Sequence, residues 1–353
     1  MTGALPATVF ALGFSFRKRA IVRRFLGAVE VRFVRHSRRI PSGAALLLWG
    51  SRPLPASLPL DCRVIRLEDG FLRSVGLGAD LIHPVSWVID QTGIYYDAQR
   101  PSDLENLLLN TEFTVPLLAR AASLRERIVH SGLTKYNLGS LQWTRPSLQN
   151  PHRNVILVPG QVETDASIYF GAVGVRTNLD LLQAVRRANP DAYIVYKPHP
   201  DVVAGLRAKG KGESTVAAWC DEIVVDAAIQ EMLAVVDEVH VMTSLTGFEA
   251  LLRGKKVTCY GQPFYAGWGL TQDMVPVQRR GRQLSLDALV AATLLLYPTY
   301  VGRHSGKITT PELALDELLA WRTLEQTSTN VISEMSWWRK IVRVGLRIRG
   351  RNL

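Results

Sequence analysis

Four loops at the ends of apolar, strand-like runs hold the residue types that could do chemistry. After Asn154–Val158 comes Pro159-Gly160-Gln161-Val162-Glu163-Thr164-Asp165-Ala166-Ser167, which offers two carboxylates and an amide. Asp165 there can serve as a nucleophile, or it can simply cap a following helix. After Ala192–Tyr196 comes Lys197-Pro198-His199-Pro200-Asp201. Its prolines fix the backbone about His199 and Lys197 adds a cation, which suits an anionic group; the alternative is a rigid turn with an exposed histidine. After Glu238–Met242, the run Thr243-Ser244-Leu245-Thr246-Gly247-Phe248-Glu249 puts hydroxyls and a glycine at a helix start. Backbone N–H groups and the helix dipole can bind phosphate there, with Glu249 in reach of a ribose diol, although an ordinary Ser/Thr N-cap looks the same. In the first half, Glu68-Asp69-Gly70 ends a strand and can seat a general base or be a solvated turn. No Asp-x-Asp triplet occurs, so a divalent metal bridging a diphosphate is not indicated. A donor with one phosphate needs only Lys, His and helix-end N–H groups.

Strands and helices in alternation must position these loops, and the pattern predicts an α/β layer architecture. The first half reads as strands at Thr8–Leu12, Ala44–Trp49, Cys62–Leu67 and Trp87–Asp90, with a basic helix-like stretch after the first. A polar, Pro-containing stretch, Gly139–Arg153, reads as a linker. Beyond it come further strands at Glu222–Val225 and Val257–Tyr260 and helices at Asn178–Ala188, Ile229–Val235 and Gly247–Arg253. Thr309-Thr310-Pro311-Glu312 opens a terminal helix, with proline at its first position. Two doubly wound units joined by a linker would turn their strand ends toward a shared cleft, where ligands of such sheets bind.

Bulk properties exclude several classes. The 353 residues carry a formal charge of +11 and are 47% hydrophobic, which rules out a disordered chain. Residues 17–39 hold nine bases against one acid, and Trp337–Leu353 holds six bases and no acid. What remains is net acidic, so the high pI belongs to two terminal segments. No apolar run approaches the ~18 residues of a membrane span, and the order of bases and apolar residues at the start does not fit a secretory signal. Cys62, Cys220 and Cys259 suit free thiols in a reducing compartment. In the last segment Arg339, Lys340, Arg343, Arg347 and Arg351 share one helical arc beside Trp337 and Trp338, the pattern of a helix lying in an anionic membrane interface; a nucleic-acid tail or a helix docked on the first domain are the alternatives.

The strings LEDGFLRSVGLG (67–78), DQTGIYYDAQRPSDLE (90–105), VPGQVETDASI (158–168), NPDAYIVYKPHPDV (189–202), MTSLTGFEALLRGKKVTCYGQPFYAGWGLTQD (242–273) and LYPTYV (296–301) resemble the retaining β-Kdo transferases of capsular polysaccharide biosynthesis, the KpsC/LipB family. Kdo is 3-deoxy-manno-octulosonic acid. The resemblance implies a GT-B fold of two Rossmann-like doubly wound domains facing a central cleft. Residues 1–148 would be the acceptor-side domain, 149–303 the CMP-Kdo-binding domain, 304–335 a helical segment packing back on both, and 336–353 the basic amphipathic tail. It further implies CMP-β-Kdo as donor, no resident cofactor or metal, and a lysophosphatidylglycerol or Kdo-terminated glycolipid acceptor. The expected setting is the cytoplasmic face of a bacterial inner membrane, with other capsule assembly proteins as possible partners and no nucleic acid.

By the same resemblance His199 and Lys197 meet the donor phosphate or carboxylate. Ser244, Thr246 and Gly247 form a helix-end cradle, Glu249 contacts the ribose, and Gln161 belongs to the donor site. Glu68 is the expected general acid/base and Asp165 the expected nucleophile, with Glu163 as runner-up. Ser15 and Lys18 are weaker candidates for acceptor contact. Family members often carry two such modules in tandem, and this chain has room for one. The competing reading is a GT-B enzyme with another nucleotide sugar, such as a UDP-sugar 2-epimerase, which UDP would stabilise in preference to CMP.

Overall fold

The structure, a computed structural model, describes residues 4–72, 84–134, 142–150 and 152–329, with side chains as far as Leu324. Four parallel strands begin it: β1 (Thr8–Leu12), β2 (Glu30–Val34), β3 (Ala45–Trp49) and β4 (Arg63–Asp69). β3 is an unbroken apolar run whose Ala45, Leu46, Leu47 and Leu48 are all buried, as a strand covered on both faces requires. Between β1 and β2 runs helix α1 (Phe16–Leu26), N-capped by Ser15 and ended by Gly27. It buries Val22, Phe25 and Leu26, so the arginines around them solvate the outer face of a core helix. Part of the basic stretch read as helix is the edge strand β2, where Glu30 pairs with Arg32 and Arg19 and Arg23 lie over the Phe33 ring.

β5 (Ser86–Asp90) joins β4 antiparallel, and its loop leads to helices α2 (Asp103–Asn110) and α3 (Val115–His130). Both helices leave the first sheet and pack into a core shared with the second half. The described part of the linker is strapped onto that half. Arg145 donates to both Asp237 carboxylate oxygens at 2.9 and 2.7 Å, and Trp143 Nε1 donates to Glu222 at 3.0 Å.

The second sheet contains β6 (Val155–Pro159), β7 (Tyr193–Lys197), β8 (Glu222–Ile223), β9 (Glu238–Val241), β10 (Lys256–Cys259) and β11 (Gln272–Asp273), all parallel. Their spatial order, β8-β7-β6-β9-β10-β11, is the 3-2-1-4-5-6 order of doubly wound sheets. Helices α4 (Ala166–Gly171), α5 (Asn178–Ala188), α6 (Pro200–Val203), α7 (Ile229–Val235) and α8 (Leu245–Leu252) follow the strands. α5 and α7 match the sequence expectation residue for residue. α9 (Leu286–Val290) runs on into a π-helical turn, Ala291–Leu296.

Two expectations are corrected here. β12 (Pro298–Val301) and β13 (Ile308–Thr309) are hydrogen-bonded into the first sheet, in the order β13-β12-β5-β4-β3-β1-β2. A second unit ending at 303 therefore runs too far, because residues 298–301 pair with β5. The first sheet is also mixed rather than doubly wound throughout, since β5 pairs antiparallel with β4, β12 with β5 and β13 with β12. Helix α10 (Pro311–Thr329) then lies along α3, tied by Arg120–Glu312 and Arg127–Asp316 pairs and by Arg322 donating to the Ser131 carbonyl. Among the described residues no helix is long and apolar enough to cross a membrane. Cys62, Cys220 and Cys259 are free thiols, and burial pushes the Cys259 pKa well up. The expected tail, 336–353, lies outside the described residues.

The halves are also joined by charge. Glu105 of α2 accepts from Arg280 Nε at 2.8 Å and from Arg279, and the Glu105 and Arg280 side chains are each only 3% exposed. Burial lowers the Arg280 pKa while Glu105 supports the charged form. Removing one partner of such a pair strands a buried charge. Glu105→Ala should cost about 3–5 kcal/mol of unfolding free energy, read from urea denaturation, whereas Arg120→Ala on the surface should cost about 1 kcal/mol or less.

Candidate active site

The C-terminal ends of β4, β6, β7 and β9 open onto one cavity of about 830 Å³. Glu68, Tyr95 and Tyr96 line it from the first half, and the loops after β6, β7 and β9 line it from the second. The pairing of Pro159 with Lys197 and of Leu157 with Val239 sets those three strand ends side by side. β6 and β9 are neighbours whose following crossovers diverge to opposite sides, so the cavity occupies the topological switch point.

Gln161 spans that point. Its Nε2 donates to Thr243 Oγ1 at 3.1 Å and its Oε1 accepts the Thr243 N–H at 2.9 Å, while Asn178 bonds its backbone N–H and C=O. Gln161 lies on the wall, but its amide is committed to joining two loops. Asp165 is exposed on the wall and N-caps α4, its Oδ1 accepting the Ser167 N–H and hydroxyl at 2.9 and 2.8 Å. The cap reading of Asp165 is thus realised, with the carboxylate still facing the cavity. Glu163 is not on the wall. Its oxygens accept the N–H groups of Asn178 and Lys211, each at 2.8 Å, which turns this runner-up into a loop clamp.

His199 N-caps α6, its Nδ1 accepting the Asp201 N–H at 3.1 Å. In the neutral ring the proton then sits on Nε2, which becomes a donor. Lys197 Nζ donates to the Val225 carbonyl at 3.0 Å, and burial lowers its pKa while Asp226 opposes the shift. Gly160 lets these loops approach: a Cβ there would lie 2.8 Å from the Tyr196 hydroxyl oxygen and 3.2 Å from the His199 nitrogen.

Ser244 caps α8 by accepting the Thr246 N–H at 3.2 Å, and both residues line the cavity. Gly247 does not. Its N–H is bonded to the Ser244 carbonyl at 3.1 Å, and a side chain would overlap the Tyr265 hydroxyl, so this glycine serves ring packing and not a phosphate cradle. Glu249 is 8% exposed on the wall, one turn before Arg253, whose charge it favours against burial. Glu68 meets the Tyr96 hydroxyl across the first-half wall at 3.3 Å. Ser15 and Lys18 lie off the cavity: Ser15 caps α1, and Lys18 Nζ sits 3.4 Å from the Trp49 ring centroid. In the aromatic loop Tyr265, Ala266 and Trp268 are fully buried, and only Pro263 and Phe264 reach the wall.

Tyr95, Tyr96, Asp226 and Arg207 were not anticipated. Arg207 adds a second cation beside Lys197, its guanidinium donating to Thr164 Oγ1 at 3.4 Å beside Asp165. The adjacent tyrosines follow a strand end, as the other wall loops do, and that position was the available signal. The described residues contain no group of His, Cys, Asp and Glu spaced to hold a metal ion.

Residues 56–301 match the family model described as capsule polysaccharide biosynthesis protein. The chain belongs to the capsule polysaccharide biosynthesis protein family. It is 41% identical over 341 residues to the capsule polysaccharide modification protein LipA of Neisseria meningitidis, covering 93% of this chain and 47% of that protein. It is 43% identical over 287 residues to the lipopolysaccharide-processing protein LpsZ of Rhizobium meliloti, covering 78% and 63%. The chain thus spans about half to two thirds of the length of these curated relatives. A solved structure of Thermosulfurimonas dismutans KpsC, named as a beta Kdo 2,7 transferase, superposes with a TM-score of 0.73 at 41% identity, covering 89% of this chain and 99% of that one. A second from the same organism, named as a beta Kdo 2,4 transferase, gives 0.75 at 32% identity, covering 89% and 98%.

In this capsule biosynthesis protein the cavity offers carboxylates from both halves and, from one, the Lys197 and Arg207 cations and the His199 ring. A Cβ at position 160 would force the His199 loop outward. Gly160→Ala should therefore cost about 1–3 kcal/mol of unfolding free energy, the scale of overpacking a close contact, read from urea denaturation.

Proposed function

We propose that this chain is a retaining Kdo glycosyltransferase of the GT-B type. On this reading it transfers Kdo from CMP-β-Kdo to a lipid or Kdo-terminated acceptor during assembly of the β-Kdo linker of capsular polysaccharide. The observation that carries the reading is the single cavity in which Glu68 from one half meets Asp165, Lys197 and His199 from the other. Similarity over nearly nine tenths of the chain to two structures named as Kdo transferases supports it.

The chemistry follows from those groups. Lys197 and the His199 Nε2–H bind the anionic donor, and Arg207 stands beside Asp165, where a sugar carboxylate next to the anomeric carbon would lie. Asp165 attacks the anomeric carbon. The bond to the phosphate oxygen breaks with its electron pair leaving on CMP, and a glycosyl ester forms on Asp165. An acceptor hydroxyl, losing its proton to Glu68, then attacks the same carbon and displaces the Asp165 carboxylate. Two inversions retain configuration. Ser244, Thr246 and Glu249 line the donor side, while Gln161 keeps the β6 and β9 loops in register for it.

Asp165→Asn should lower transfer at least about a thousandfold, as loss of a nucleophile does. Glu68→Gln should let the Kdo ester build up on the Asp165 peptide, detected by mass spectrometry after incubation with CMP-Kdo. Full activity of Asp165→Asn without any adduct would overturn the double displacement. Attachment to an anionic inner-membrane surface through the basic 336–353 segment is part of the same proposal. Liposomes containing phosphatidylglycerol should float the full chain and leave a chain truncated after Ser336 in solution; equal flotation of both removes the anchor.

A further inference from the structure

Glu68 is the penultimate residue of β4, and its carboxylate is held from two sides. Oε1 accepts the Asp69 N–H at 3.0 Å, and Oε2 accepts the Tyr96 hydroxyl at 3.3 Å. The space in which the latter two meet exists because residue 50 is glycine. A Cβ on Gly50 would lie 2.9 Å from both Glu68 Oε2 and the Tyr96 hydroxyl oxygen, and Gly50 has a left-handed φ of 56°. Its backbone is fixed by β4 itself, the N–H donating to the Leu67 carbonyl at 2.7 Å and the C=O accepting from Arg66 Nη1 at 2.6 Å.

Tyr96 is equally well placed by its own loop. Asp90, with no exposed surface, accepts the Thr92 and Gly93 N–H groups at 3.0 and 2.7 Å and the Tyr297 hydroxyl at 2.7 Å, closing the turn from which Tyr95 and Tyr96 project. Burial first, and then the charge of Glu68, raise the Tyr96 hydroxyl far above its ordinary pKa, so it remains a proton donor.

We infer that Tyr96 is a positioning residue that aims the Glu68 carboxylate into the cavity across the gap left by Gly50. The inference rests on the reading of Glu68 as the base of the transfer. A phenol donating to a carboxylate favours its ionised, base-competent form and stops its rotation out of line. Other ionisable groups in its surroundings include Asp69 next to it on β4, Tyr95, and Asp165, Lys197 and His199 on the wall of the same cavity.

The test compares wild type, Tyr96→Phe, Gly50→Ala and Glu68→Gln in pH profiles of kcat/KM for a Kdo-terminated acceptor, the parameter that contains the Glu68 step. Phenylalanine keeps the ring and removes the donor, so the Glu68 pKa rises. The acid limb should move up by about one pH unit, with kcat reduced roughly tenfold and KM for CMP-Kdo unchanged. Gly50→Ala, which crowds both partners, should lower kcat similarly with Tyr96 intact. An unmoved acid limb in Tyr96→Phe, with Glu68→Gln inactive, overturns the positioning role and leaves the base assignment standing. A fully active Glu68→Gln removes that assignment and the inference with it. Thermal unfolding of each variant reports folding separately.

Discussion

Two neighbouring parallel strands whose crossovers leave in opposite directions cannot keep their following loops together, and this constraint makes the cavity. Here the strands are β6 and β9. The gap is spanned by one amide, Gln161, which gives both its donor and its acceptor to Thr243. At 7% exposure Gln161 has little water to turn to, so loss of either partner would leave a buried polar group unpaired. Fixing Thr243 fixes the start of α8, and fixing the Gln161 backbone through Asn178 fixes the approach to Asp165. The cavity wall built by the second half is in this sense one hydrogen-bonded unit.

The opposite wall depends on how the halves are welded. α2 and α3 belong by sequence to the first half, yet they pack with α9 and α10. Glu105 and Arg280 close the seam, and Arg280 also donates to the Pro263 and Ala266 carbonyls, at 2.6 and 3.1 Å. One guanidinium thus holds both the α2 start and the loop carrying Phe264. Phe264 in turn packs against Phe71 and Tyr95, with ring centroids 4.8 and 5.7 Å apart. The return of β12 beside β5 completes the closure, since Tyr297, just before it, bonds the Asp90 that shapes the tyrosine loop.

Most of the second sheet was legible because β6 and β7 are largely apolar runs and are separated by an amphipathic helix, α5, while the polar β11 (Gln272–Asp273) carries no such signal. The first half was less so. β2 is a short edge strand in which Glu30 and Arg32 alternate with Val31 and Phe33, and edge strands carry charge for reasons unrelated to helix formation. The return of β12 follows from pairing with β5 over two hundred residues distant, which no local pattern encodes. Among the site residues, the strand-end rule found Glu68, Asp165, Lys197, His199, Ser244, Thr246 and Glu249 on the cavity wall. It failed for Gly247, where the demand for glycine comes from the Tyr265 ring, and for Glu163, whose carboxylate is consumed by backbone N–H groups. A sequence displays which residues can bond a ligand; whether the protein has already taken those bonds depends on contacts formed across the chain.

Charge behaves the same way. The formal +11 lies in the terminal segments, while the cavity relies on Lys197, His199 and Arg207. Burial works against the Lys197 charge, and a carbonyl and the Asp226 field offset that only in part, because the pKa still falls. A cation in that position is costly until an anion arrives, at which point the ion pair restores the charged form. The local desolvation that lowers its pKa is also what would make a bound phosphate or carboxylate feel that cation strongly, since water does little to screen it there. On the proposed reading, recognition of an acidic donor therefore rests on Lys197, His199 and Arg207 and the loops that hold them.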